Sequence, residues 1–218
     1  MSRDVAARVA ARYPTRFLRF YVRGKIGSDP LYGAVFDRLR DTRDPILDVG
    51  CGAGFLALYL RERGVTAPIR GIDHDASKIS IARRVAGDDM AFDTSDARDS
   101  GQWSGTVLML DLLHYFDSAQ QSRMLESAAT HATRIIVRDA VNDGSWRYRL
   151  TYAQESLARA IGWLKAERLH FATREAIMAP FAGFVSEVVP LWGRTPFNNY
   201  LFVFTRSAGN DECVTAPP

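Results

Sequence analysis

Cysteine is scarce in this chain, with two among 218 residues. Cys51 lies inside a glycine-rich turn and Cys213 near the C-terminal end, with no CxxC pair and no histidines at zinc spacing. Neither a disulfide framework nor a structural metal is expected, and a reducing cytoplasm is the expected compartment. Long apolar runs are also missing. Nothing approaches the roughly 18 consecutive residues of a membrane-spanning helix, and the N-terminus has no apolar signal core. There is no internal repeat. Acidic residues are nearly absent from residues 1–25, where Arg3, Arg8, Arg12, Arg16, Arg19, Arg23 and Lys25 face Asp4 alone. With totals of 28 basic and 25 acidic residues, 21 and 24 remain for the rest of the chain. The surplus positive charge is therefore one arm and not a property of the whole fold, which argues against a general nucleic-acid binder.

The most informative segment is Leu47-Asp48-Val49-Gly50-Cys51-Gly52-Ala53-Gly54. It follows the β-type run Pro45-Ile46-Leu47 and opens a helical run from Phe55 to Arg63. A glycine turn between strand and helix is the cofactor platform of a Rossmann-like sheet. Gly50 and Gly52 can take positive φ and let backbone lie against a ligand, and Gly54 lets helix approach strand. The spacing is GxGxG with Asp48 two residues ahead of it. A carboxylate there would repel the pyrophosphate of a dinucleotide but favour a ligand carrying ammonium and sulfonium charges.

Strand and helix patterns alternate along the chain. Strands are predicted at Ile46–Val49, Ile69–Asp73, Met90–Phe92, Thr106–Asp111 and Arg134–Arg138. Helices are predicted at Phe55–Arg63, ended by Gly64, then after Asp75, and at Ser118–His131. This rhythm predicts an α/β fold with a doubly wound, mostly parallel sheet. A long helix over Trp146–Leu164 and a short one over Thr173–Phe181 follow. Two late strands, Ser186–Leu191 and Tyr200–Thr205, would pair as an antiparallel hairpin and complete a seven-stranded sheet. Residues 1–40 read as a helical arm or lid, 41–206 as the cofactor-binding domain and 207–218 as a disordered tail. Within the arm, Val5, Val9, Tyr13 and Phe17 repeat at spacing four, and Pro14 should split the segment into two helices. That break disfavours a membrane-binding stripe and leaves a lid or packing helix as the expectation. Asp29-Pro30 reads as the start of another helix running to Arg40.

These motifs, in this order over about residues 45–140, resemble the class I S-adenosylmethionine-dependent methyltransferases. The resemblance implies S-adenosyl-L-methionine as cofactor, held by Asp48, Gly50, Cys51, Gly52 and Gly54. Asp73, with His74 beside it, would take the ribose position. Asp96 and Ala97 would take the adenine position, with Asp93 as competitor, and Asp111 would meet the cofactor or its loop. His114, in Leu112-Leu113-His114-Tyr115, is the candidate general base because its ordinary pKa lies near neutrality; a structural role is the alternative. Asp139 is the second catalytic candidate. Tyr21, Arg23, Arg138, Arg147 and Thr151, with His114, are the candidate acceptor contacts, and Phe17, Phe20 and Trp192 would add aromatic walls.

The segments Phe20–Lys25, Asp29-Pro30, Arg138-Asp139 and Thr195–Asn199 more narrowly resemble the small methyltransferases associated with bacterial aryl-polyene pigment biosynthesis. That resemblance implies a phenolic acceptor, free or bound to an acyl carrier protein. No Asn-Pro-Pro-Tyr motif follows strand four and no cysteine takes the nucleophile position of a cytosine methylase, so nucleic acid is not the expected acceptor. Two other functions remain open: a non-catalytic cofactor-binding partner that localises or stabilises an enzyme, and a nicotinamide oxidoreductase.

Overall fold

The computed structural model describes residues 2–100, 102–160, 169–193 and 195–207. The expected disordered tail from residue 208, and residues 161–164 of the predicted long helix, lie outside the described residues. Seven strands form one sheet in the order β3-β2-β1-β4-β5-β7-β6: β1 Ile46–Val49, β2 Ile69–Asp73, β3 Met90–Thr94, β4 Thr106–Leu110, β5 Arg134–Ala140, β6 Phe184–Pro190 and β7 Asn199–Arg206. Strands β1 to β5 pair in parallel, while β7 runs antiparallel to both β5 and β6. The expected late hairpin is therefore present, and β6 forms the sheet edge. The chain order reverses between β1 and β4, so the ends of these two strands flank the crevice where open α/β sheets bind ligands.

Eight α-helices accompany the sheet among the described residues: α1 Ser2–Ala11, α2 Arg16–Ser28, α3 Leu31–Leu39, α4 Phe55–Glu62, α5 Ala76–Val85, α6 Ser118–His131, α7 Trp146–Ala160 and α8 Arg174–Met178. Local chemistry sets their ends. Asp75 accepts from the Ser77 and Lys78 N–H groups to start α5. Asp117 and Gln120 form a reciprocal capping box that starts α6. Gly64, at φ +92°, terminates α4 as expected.

Core residues alternate along the strands with the period of two that a doubly covered sheet requires. Ile46, Leu108, Ile136 and Leu201 pack on one face with α1 to α5. Leu47, Val107, Met109, Ile135, Val137, Phe202 and Phe204 pack on the other with α6 and α8.

The N-terminal arm divides at Pro14 into α1 and α2, as expected, and α2 runs on to Ser28, beyond the periodic stretch that ends at Phe17. Val5, Val9, Tyr13, Val22 and Ile26 share one hydrophobic core with Leu56 and Tyr59 of α4. The Tyr13 hydroxyl donates to the Ala53 carbonyl at 2.9 Å, and its ring meets Phe55 edge-on. The arm is thus packed directly against the glycine turn. Asp29 does cap α3, accepting the Leu31 N–H at 3.0 Å.

Candidate active site

The glycine turn is built as a cradle. Gly50 and Cys51 both donate to the Ile72 carbonyl, tying the turn to β2. Gly52 adopts φ +55°, and a Cβ placed there would meet nothing within 4 Å, so its backbone face is open to a ligand. Gly54 adopts φ +77° at the start of α4 and faces Phe92 and the Ala82 methyl, which makes it both a turn and a packing requirement. Cys51 is half-buried, and burial pushes its thiol pKa up, which opposes an activated thiolate there.

Two carboxylates face this turn. Asp48, in the middle of β1, is buried, and burial first, then the charge of Asp73, push its pKa up to about 7. Asp73, also buried, accepts the Gly52 N–H through Oδ2 and the Asp75 N–H through Oδ1, both at 2.9 Å. A desolvated carboxylate whose proton affinity is raised by burial and by a neighbouring acid gains most from a cation placed beside it. That observation fits S-adenosylmethionine and opposes a pyrophosphate.

The remaining cofactor candidates lie around the same sheet end. His74 is exposed, with Nδ1 3.5 Å from Asp73 Oδ1. The Ser95 N–H donates to the Asp73 carbonyl, bringing the loop after β3 against the end of β2. Asp96 caps the short 3-10 turn Ala97–Asp99, and Arg98, hydrogen-bonded to its carboxylate, lowers its pKa to about 2. Asp93, the competing residue, is engaged by Arg70 and Arg83. Asp111 sits at φ +55°, in the left-handed region that non-glycine residues rarely occupy. There its N–H donates to the Arg138 carbonyl at 2.7 Å and its carboxylate pairs with the Arg138 guanidinium.

A cavity of about 590 Å³ opens on the β4 and β5 side of the crevice, walled by α2, α7 and the loops after those strands. His114 and Asp139 lie in its wall, both buried. His114 Nδ1 is 2.7 Å from Asp139 Oδ1, and the His114 N–H donates to Asp139 Oδ2 at 3.2 Å. Nε2 is buried without a hydrogen-bond partner among the described residues. Phe171 stacks on the ring with centroids 5.3 Å apart. Burial alone would disfavour the imidazolium, but the Asp139 charge and hydrogen bond, with Asp111 and Glu155 further away, outweigh it. They leave the pKa above the ordinary histidine value. Nδ1 is therefore occupied, and Nε2 is the ring nitrogen left without a partner on a residue of the cavity wall. This is the base-and-orienter arrangement used for proton abstraction.

The acceptor candidates divide. Tyr21, Arg138 and Thr151 line the cavity; Arg23 and Arg147 do not. On α2 the cavity-facing residues are Tyr21, Lys25 and Ser28, one helical face, and Arg23 lies about 200° around the helix from Tyr21, in solvent. Arg147 donates to the Thr195 carbonyl at 2.9 Å and lies over the Trp192 ring, buttressing the segment after β6. Thr151 donates to the Arg147 carbonyl and accepts the Asn198 N–H. Arg138 pairs with Asp111 and, at 3.5 Å, with Asp29, so its charge is already balanced. Phe17 and Phe20 are exposed, outside the cavity lining.

Sequence reasoning missed Lys25, Asp29, Glu155 and Phe171 as cavity residues. Glu155 was within reach of it, standing one helical turn beyond Thr151; Phe171 carried no local signal. Around the cavity, Lys25 and Arg138 face Asp29, Asp111, Asp139 and Glu155. The excess of acid favours a neutral or cationic acceptor over a carboxylate.

Residues 46–134 match the family described as "Methyltransferase domain". Among solved structures, magnesium protoporphyrin IX methyltransferase from Synechocystis PCC 6803 with bound SAH is similar at 21% identity. Its TM-score is 0.66, with 94% of this chain and 93% of that one covered. The pyocyanin biosynthetic protein PhzM is 19% identical with TM-score 0.64, covering 93% of this chain and 62% of that one. A putative O-methyltransferase from Nostoc punctiforme PCC 73102 is 18% identical with TM-score 0.62, covering 86% and 59%. No curated protein matches the sequence. Over residues 46–134, then, the chain matches the methyltransferase-domain family, on a fold that it shares with these solved structures.

Proposed function

We propose that this protein methylates a small, neutral acceptor bearing an ionisable hydroxyl, with a phenol as the best chemical fit, and that His114 takes the acceptor's proton. The observation that carries the reading is the unpartnered, buried Nε2 of His114 in the cavity wall, with Nδ1 held by Asp139. Bound S-adenosylmethionine supplies an activated methyl group on a sulfonium, so alignment and exclusion of water supply most of the remaining rate. Asp48 and Asp73 would hold the cationic end and ribose of the cofactor, Gly50 and Gly52 its backbone-facing side, and Asp96 with Ala97 the adenine. Nε2 accepts the hydroxyl proton as the acceptor oxygen becomes nucleophilic, Asp139 stabilises the imidazolium, and the proton then returns to solvent. Phe171 and Tyr115 wall the site with rings suited to an aromatic acceptor.

The narrower resemblance gains support from convergence. Lys25, Asp29, Pro30, Arg138, Asp139, Thr195, Phe197 and Asn199, drawn from all its separate fragments, line this one cavity. Two of the structural neighbours are a magnesium protoporphyrin IX methyltransferase and a pyocyanin biosynthetic protein, which fits small-molecule chemistry. The test is transfer of radiolabelled methyl to a panel of phenols, free and loaded on acyl carrier protein. Label on at least one phenol, abolished in His114→Ala with cofactor affinity retained, is expected. Cofactor binding with no transfer to any acceptor would overturn the proposal in favour of a non-catalytic partner, and selective binding of NADH would overturn the cofactor assignment.

A further inference from the structure

Two helices wall the cavity. Helix α2 presents Tyr21, Lys25 and Ser28 to it, and α7 presents Thr151, Gln154 and Glu155. Both helices are apolar on the outside as well. On α2, Phe17, one turn before Tyr21, is 78% exposed and Phe20, next to it in sequence, 80%; Tyr21 is both a cavity residue and 46% exposed. On α7, Trp146 and Leu157 are each 63% exposed and, with the exposed Leu150, form a stripe along one side of the helix. Tyr21 and Tyr115 line the cavity while being partly exposed, so they mark its rim.

Single exposed apolar residues are ordinary on protein surfaces. Several large ones on the two helices that frame one opening form a patch of the kind that marks an interaction site. Phe17 and Phe20 stay largely open to solvent at these exposures, and Trp146 does so although the Arg147 guanidinium lies 4.8 Å over its ring. Along α2 the charge has one sign. Residues 16–28 contain Arg16, Arg19, Arg23 and Lys25 and no acid, and Arg16, Arg19 and Arg23 are exposed. The break at Pro14 confines this face to α2, and α7 supplies the second half that a stripe along the arm alone lacked.

We infer that this rim docks the protein on an anionic lipid surface, with Phe17, Phe20 and Trp146 seated at the headgroup boundary and the arginines paired with lipid phosphates. Aromatic side chains interleaved with arginine suit that boundary, where one end of each group is apolar and the other wet. An acidic carrier protein would satisfy the arginines but leaves the solvent-facing phenylalanines without a purpose. No described helix is long and apolar enough to cross a membrane, so the contact is peripheral. The inference does not depend on the acceptor proposed above.

The test is flotation of the full chain with vesicles of phosphatidylcholine alone or mixed with phosphatidylglycerol. Binding to the anionic vesicles only, weakened by salt, is expected. Phe17→Ser with Phe20→Ser should weaken it by about tenfold or more per side chain. Arg16→Gln with Arg23→Gln should remove most of its salt dependence. Circular dichroism and cofactor affinity, measured without vesicles, should be unchanged in both variants, since these side chains lie outside the core. Failure of the wild type to float overturns the inference. So does flotation indifferent to both pairs of substitutions, a dimer that these substitutions dissociate, or binding to an acidic carrier protein in place of vesicles.

Discussion

The Asp139 carboxylate holds His114 twice, by the ring at Nδ1, 2.7 Å away, and by the backbone N–H at 3.2 Å. One residue at the end of β5 thereby sets the tautomer, the tilt and the position of an imidazole on the loop after β4. Because Asp139 raises the proton affinity of His114, the free base is the minor form until the pH exceeds the ordinary histidine pKa of about 6.5. Methyl transfer to a phenol should therefore rise with pH along a limb centred above that value. The limb belongs to the coupled pair rather than to either residue.

Asp139→Asn should lower that midpoint, because the charge that raised it is gone. It should also reduce kcat by roughly 10²-fold or more, because an amide at Nδ1 no longer fixes the reactive tautomer. His114→Ala should abolish the limb. A pH–rate profile of kcat/KM for the three proteins reads all of this, and a midpoint unmoved in Asp139→Asn would show that the pair does not govern proton transfer.

Asp48 carries an opposite bargain between stability and binding. Its pKa stands at about 7 in the fold, above the unfolded value near 4, so the native state binds the extra proton. Stability of the ligand-free protein should fall as pH rises from about 4 to about 7 and level off above that. Asp48→Asn should flatten this slope and raise stability at neutral pH by a few kcal/mol at most, about 2–4 °C in Tm per kcal/mol for a chain of 218 residues. The same substitution should weaken S-adenosylmethionine binding by tenfold or more, since a buried carboxylate with a second acid beside it is worth most to a cation. Affinity for the wild type should strengthen with pH up to about 7, with proton release visible by calorimetry in buffers of different ionisation heat.

Arg138 is the third pivot. It lies buried between Asp111, held at φ +55°, and Asp29 at the corner between α2 and α3. Its removal leaves the buried Asp111 carboxylate without its guanidinium partner, while Asp29 keeps Lys25 at 3.3 Å. Arg138→Ala should cost about 3–5 kcal/mol, and the loss should exceed that of Asp29→Ala, which strips away the weaker of the two pairs. Chemical denaturation of both variants decides this; equal losses would mean that Asp111 does not depend on Arg138.

The parts of this molecule that were legible in sequence are those fixed by near neighbours. β1, β2 and α6 fall at the predicted residues because alternation, a glycine turn and the capping chemistry at Asp117 each act within a few positions. His114 and Asp139 were each visible as candidates, but their pairing spans 25 residues and two loops, and only the register of β4 on β5 brings them together. Asp29 was read correctly as a cap, yet its bridge to Arg138 is a tertiary event with no local trace. Arg23 was grouped with the acceptor site because it neighbours Tyr21 in sequence; two residues along a helix point in nearly opposite directions, and the site took Lys25 instead. Phe17 and Phe20 looked like cavity aromatics because composition reports hydrophobicity but not which side of a helix the core lies on.

Two glycines separate binding from folding. At Gly52 a methyl group would meet open space, although φ +55° asks a modest conformational cost of any L-residue, roughly 1–2 kcal/mol. Its exposed backbone faces the cradle, so Gly52→Ala should fold with a slightly lowered Tm while losing cofactor affinity. At Gly105, which sequence gave no reason to notice, a Cβ would stand 2.1 Å from the Pro45 carbonyl oxygen. That oxygen accepts the Thr106 N–H at 2.9 Å and the Trp103 indole N–H at 3.2 Å. Gly105→Ala must push Pro45 away and strain both bonds where β1 and β4 begin to pair, costing at least about 1–3 kcal/mol. Thermal melts with and without S-adenosylhomocysteine distinguish the two variants. The first should lose the ligand-induced stabilisation but little intrinsic stability, and the second should lose intrinsic stability while the surviving folded fraction still binds.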